Sequence, residues 1–127
     1  MEYMIVSPNP SNPESDEKFI DDIQLFIHSM RESFQSVYVD KTVNGRMYDC
    51  GFYLADDSEQ EIDCYISAEG SLILLYAGTV ADLIAFSLWV REQIQDNIPL
   101  QLLSVSDDTN LLLNSNTTEF DIKSVIR

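Results

Sequence analysis

Apolar residues recur along this chain with two different periods, and the switches between them predict its elements. EYMIVS at 2–7 is a short apolar run and predicts a strand. PNPSNPES follows, and its prolines and turn formers make 8–14 a loop. A helix is predicted from about Ser15, because Phe19, Ile20, Ile23, Phe26, Ile27, Met30 and Phe34 fall on one face at helical spacing. Asp16 and Glu17 would then sit in its first turn, where the helix dipole favours them.

The period then shortens to two. SVYVDKTV and RMYDCGFYLA flank Asn44–Gly45, a strong hairpin signal. On the second of these, Tyr48, Cys50, Phe52 and Leu54 alternate with Asp49, Gly51 and Tyr53. EIDCYIS at 61–67 puts Ile62, Cys64 and Ile66 on one face and Asp63 and Tyr65 on the other. SLILLYA at 71–77 is continuously apolar and reads as a central strand buried on both faces. Residues 79–95 predict a second helix, opened by Thr79 with Asp82 three residues on and barred from continuing by Pro99. LQLLSVS at 100–106 is a strand, and parallel pairing with 71–77 would make 71–106 a βαβ-like crossover. NLLLN at 110–114 is a short edge strand, and 116–126 a closing helix with Asn116 as cap and Glu119 three residues later. The predicted class is α+β: a mostly antiparallel sheet of five to seven strands, with two longer helices and a short C-terminal helix on one face. Residues 1–127 read as one domain.

Charge changes this picture more than composition does. There are 22 Asp and Glu against 7 Lys and Arg, a net charge of -15. From residue 47 to residue 90 the chain has no Lys, Arg or His, yet it carries Asp49, Asp56, Asp57, Glu59, Glu61, Asp63, Glu69 and Asp82. A field of that sign repels nucleic acid and anionic membrane surfaces and speeds encounters with basic partners. The start of the chain lacks the basic and apolar pattern of a secretory signal, and no apolar run approaches a membrane span. The expected setting is the cytoplasm, with Cys50 and Cys64 as reduced thiols rather than a disulfide framework.

The residues offer little for chemistry, and no catalytic residue, metal ligand set or cofactor motif is predicted. His28 is the one histidine and falls off the apolar face of its helix. Both cysteines take apolar strand positions, where a thiol behaves as a small hydrophobe. The acidic run at 55–63 fails the calcium-loop pattern, with Glu61 or Ile62 where that loop needs glycine. The four glycines, at 45, 51, 70 and 78, make no phosphate cradle. The expectation is a binding protein and not an enzyme.

The partner-binding candidates are therefore Asp56, Asp57, Glu59, Glu61, Asp63 and Tyr65, together with Leu25 and Trp89. The acidic residues with Tyr65 form a patch of carboxylates interleaved with aromatics. Leu25 falls on the polar side of the first helix, beside Asp21, Asp22, Ser29 and Glu32. Trp89 falls on the more polar side of the second, and fits either an interface anchor or the core of a helix buried nearly all round. Arg91 lies within the apolar arc of that helix, as a snorkelling side chain or the partner of a sheet carboxylate.

In size, charge and architecture the chain resembles the immunity proteins of bacterial toxin systems. That resemblance implies neutralisation of a basic, nuclease-type toxin, with carboxylates offered where the enzyme expects phosphates. The chain is also similar to the acidic chaperones of type III secretion, whose order of elements, α-β-β-β-α-β-β-α, is close to the one predicted here once the first strand is removed. That second resemblance implies binding of a secreted effector segment, and a homodimer. A small enzyme or ligand-binding domain is the third class.

Overall fold

In a computed structural model, residues 2–9, 12–41, 47–53, 61–67, 69–106 and 110–126 are described, with the backbone alone at 9, 12–16, 35–41, 47–53 and 61. In chain order the elements are β1 (Glu2–Val6), β2 (Pro8–Asn9), β3 (Asn12–Asp16), α1 (Ile23–Ser33), β4 (Gln35–Lys41), β5 (Met47–Tyr53), β6 (Glu61–Ser67), β7 (Leu72–Ala77), α2 (Val80–Gln93), β8 (Leu100–Ser104), β9 (Asn110–Leu113) and α3 (Glu119–Val125). The main sheet has seven strands in the order β4-β5-β6-β7-β1-β8-β9. Every neighbouring pair in it is antiparallel. β7 and β8 therefore run parallel to each other with β1 between them, so the crossover through α2 is split by the first strand of the chain.

Alternating burial shows how the sheet is used. On β6, Ile62, Cys64 and Ile66 are buried while Asp63, Tyr65 and Ser67 are half-buried. On β7, Ile73, Leu75 and Ala77 are buried while Leu72 and Leu74 are half-buried and Tyr76 is exposed. The register carries the buried positions across the sheet as a row, Ile66–Ile73–Ile5–Leu102. These residues form one hydrophobic cluster with Phe26, Ile27 and Met30 of α1, Leu83, Phe86, Trp89 and Val90 of α2, and Ile122 of α3. Each large aliphatic side chain in such a cluster contributes about 1.5–3 kcal/mol relative to exposure. Among the described residues, no helix shares a cluster of that kind with the opposite face of β6, β7, β1 and β8, although Val6 at one end of that face is buried. The expectation that β7 is buried on both faces is thus corrected: it is central in the sheet, but only one of its faces belongs to the core.

The first helix begins later than its apolar spacing suggests. Asp22 is its N-cap, with a side-chain oxygen accepting from the Leu25 N–H at 3.1 Å, so Asp16 and Glu17 lie outside it. Phe19 and Ile20 are buried, but from a non-helical segment, and their N–H groups donate to the Gly70 carbonyl at 2.9 and 3.1 Å. Gly70 has φ +75, and a Cβ there would meet the Ile20 carbonyl oxygen, so this docking needs glycine. The predicted loop at 8–14 contains the β2–β3 pairing, a two-stranded sheet of its own. The proline-rich composition describes turn chemistry there and hides the short ladder.

α2 is close to its expected span, with Thr79 accepting from the Asp82 N–H at 3.1 Å. α3 is capped by Thr118 in a reciprocal box with Asp121, rather than by Asn116 with Glu119. Arg91 is buried and donates to the backbone carbonyls of Ile94, Gln95, Ile98 and Leu113, rather than to a sheet carboxylate. It ties the C-terminal end of α2 to β9, which is where a cation suits the helix dipole. Burial pushes its guanidinium below the ordinary value, and Asp96 opposes that shift. Asn44–Gly45 lies outside the described residues.

Candidate functional site

Two surfaces collect the predicted residues, and they belong to different layers of the molecule. The first is the open face of the sheet. Asp63 on β6 stands opposite Tyr76 on β7, which stands opposite Glu2 on β1. The next row is Tyr65–Leu74–Met4–Leu103–Asn110, spanning β6 to β9. Tyr65 and Tyr76 meet edge to face with ring centroids 6.0 Å apart. The Tyr76 hydroxyl donates to Glu2 Oε1 at 3.1 Å. That bond, then desolvation and the charges of Glu2 and Tyr65, hold the Tyr76 phenol above its ordinary value. In register, Asp49 on β5 stands opposite Tyr65, and Asp40 on β4 opposite Asp49. The face is thus apolar over β7, β1 and β8, with carboxylates toward β6 and at the Glu2 end. Leu112, 56% exposed, extends it onto β9.

The second surface is a cleft of about 310 Å³ between α1 and the end of α2. Phe19, Ile20, Leu25, Phe26, Ile94 and Ile98 give it apolar walls, and Asp21 and Asp22 stand among its lining. Leu25 is 60% exposed there, so its departure from the amphipathic pattern is a surface feature. The other departure is not. Trp89 is only 8% exposed, lies 5.2 Å from Phe26 and 5.4 Å from Phe34 by ring centroid, and donates from Nε1 to Ser33 Oγ at 2.8 Å. It locks α1 against α2 and is core, so it is no longer a partner-binding candidate.

The remaining candidates divide by position. Asp63 and Tyr65 lie together on the open face. The backbone of Glu61 begins β6, and Asp56, Asp57 and Glu59 lie outside the described residues. Glu2, Met4, Leu74, Tyr76 and Leu103 were missed by sequence reasoning. The alternation on β6 marks Asp63 and Tyr65 as outward, but the apolar run on β7 disguises the outward set of its neighbour. Among the described residues, no group of three His, Cys, Asp or Glu side chains converges as a metal site would need. His28 lies on the surface, its Nε2 3.1 Å from Glu32. Among the described residues, no helix is long and apolar enough to cross a membrane. No family model, curated protein or solved structure matches the chain.

Proposed function

We propose that this chain is an acidic protein-binding inhibitor that neutralises a basic, nuclease-type partner by charge-complementary contact. The observation that carries the reading is the coincidence of Asp63 and Tyr65 on the sheet face opposite the helix-side cluster, directly after a run of carboxylates at 56–61 with no cation near it in sequence. Carboxylates presented beside aromatic and aliphatic side chains complement a surface that binds phosphates and bases. Lys and Arg on a nuclease supply the phosphate contacts, and the aromatic contacts supply the centre. The chain carries no chemistry of its own in this reading.

The test is a tagged pull-down from the native host, eluted in steps of rising salt. The expected result is a basic protein released by salt that cleaves nucleic acid and loses that activity when an equimolar amount of this chain is returned. The triple variant Glu59→Lys, Glu61→Lys, Asp63→Lys is expected to fold and to lose the partner. Retained affinity in that variant would remove the acidic stretch from the interface.

The cleft at Leu25 favours a second reading, a type III secretion chaperone, because an apolar groove suits an extended effector segment. A stable dimer holding the N-terminal segment of a secreted protein through the salt steps would decide for it.

A further inference from the structure

We infer that the open face of the sheet is the docking surface, and that the element it takes from the partner is a basic amphipathic helix. The inference rests on the preceding reading that the partner is basic, and adds where and how it binds.

A sheet with apolar side chains on a face is stable when that face is covered by another layer. Here the three helices share their cluster with one face alone. On the other, Tyr65, Leu74, Met4 and Leu103 form a continuous row across four strands, each half-buried and, among the described residues, outside the cluster that the helices share. Tyr76 and Leu112 are exposed beside it. This row is an apolar strip across the sheet. Its borders fix the sign of the helix. Glu2 and Asp63 flank Tyr76 in the adjoining row, and the register sets positions Asp49 and Asp40 at the β6 end of the strip. A covering helix with Leu-like residues over the strip and Lys or Arg along one flank would meet Glu2 and Asp63 there, while its other flank would lie over the row Leu72–Val6–Gln101–Leu112, which carries no carboxylate. A second copy of this chain fits badly, because each copy carries a net charge of -15 and would bring the same carboxylates against each other. The sheet edge is a poorer site than the face. At β9, the carbonyls of Leu112 and Leu113 already accept from Thr117 Oγ1 at 3.1 Å and Arg91 Nη1 at 3.0 Å.

The test uses the full chain, labelled with nitrogen-15, and a synthetic helical peptide with Arg on one face and Leu on the other. An Arg-bearing peptide of equal charge without Leu is the control. The expected result is saturable shifts centred on Met4, Tyr65, Leu74, Tyr76 and Leu103, with affinity about tenfold tighter than the control peptide's. The double variant Glu2→Lys, Asp63→Lys should weaken the amphipathic peptide about tenfold. Tyr65→Ser should weaken it with charge unchanged, and both variants must keep the wild-type thermal transition. Shifts centred on Leu25 and Ile98, equal affinity for the two peptides, or no saturation would each overturn the assignment. Inhibition of a captured nuclease by a chain whose peptide site is the cleft would fail this surface and keep the function. A peptide seated on the open face, with no basic partner in the pull-down, would do the reverse.

Discussion

The two faces of one sheet are built from similar residues and are used differently. Leu75 and Leu74 are neighbours on β7, yet Leu75 is fully buried in the cluster under α2 and Leu74 is half-buried on the open side. The covered face is closed by aromatic packing: Phe26, Phe34 and Phe86 surround Trp89, with ring centroids 5.2–6.0 Å from it. The open face has a tyrosine pair, a row of aliphatic residues and carboxylates at its borders. The lesson is that hydropathy alone does not locate a core. What separates the two faces is which of them the helices reach, and what charge borders the one left over.

The largest expected effect breaks that comparison at a single peptide bond. Leu75→Ala should cost about 2–5 kcal/mol of stability, whereas Leu74→Ala should cost about 1 kcal/mol or less, both read by chemical denaturation. Equal losses would mean that the open face is covered after all. Next is Gly70→Ala, expected to cost about 2–3 kcal/mol, because the residue is left-handed and its Cβ would press on the Ile20 carbonyl, in the segment whose N–H groups donate to the Gly70 carbonyl at the entry to α1. A wild-type melting curve for that variant would contradict the docking of Phe19 and Ile20 on Gly70. The Lys triple variant at 59, 61 and 63 sharpens the comparison from the other side, with a stability change within about 0.5 kcal/mol and loss of partner binding.

The smallest effect is a titration. The Tyr76 phenol is held above its ordinary 10.0, chiefly by its hydrogen bond to Glu2. A raised folded value means that the neutral phenol is favoured by the fold, so its contribution is present below the unfolded value and is lost as pH rises through the folded one. Ultraviolet titration should show one tyrosine ionising late, and Glu2→Gln should bring it back toward the ordinary range. An unchanged curve in that variant would remove the Glu2–Tyr76 bond.

Much of the fold was legible in the chain. The alternation in EIDCYIS gives both faces of β6 correctly, and Thr79 and Pro99 bracket α2. Three things were not legible. The start of α1 was hidden because Phe19 and Ile20 continue a helical period while being held outside the helix by Gly70, a contact about fifty residues away. Trp89 was ambiguous because α2 is apolar nearly all round, so no wheel could say which side meets α1. The open face was half visible: Asp63 and Tyr65 follow from local alternation, but Glu2 and Met4 join them only because β1 pairs with β7 and β8, a long-range choice no local pattern encodes.

The most direct measurement is hydroxyl-radical footprinting of the chain alone and in complex with the basic partner captured from its host, which reads the exposure of individual Tyr, Met, Leu and Phe side chains. The account predicts that oxidation of Met4, Tyr65 and Tyr76 falls several-fold in the complex while Leu25 and Phe120, exposed on α1 and α3, are unchanged. Protection at Leu25 with Tyr76 still fully reactive would contradict it, and would move the binding site from the sheet to the cleft between the helices.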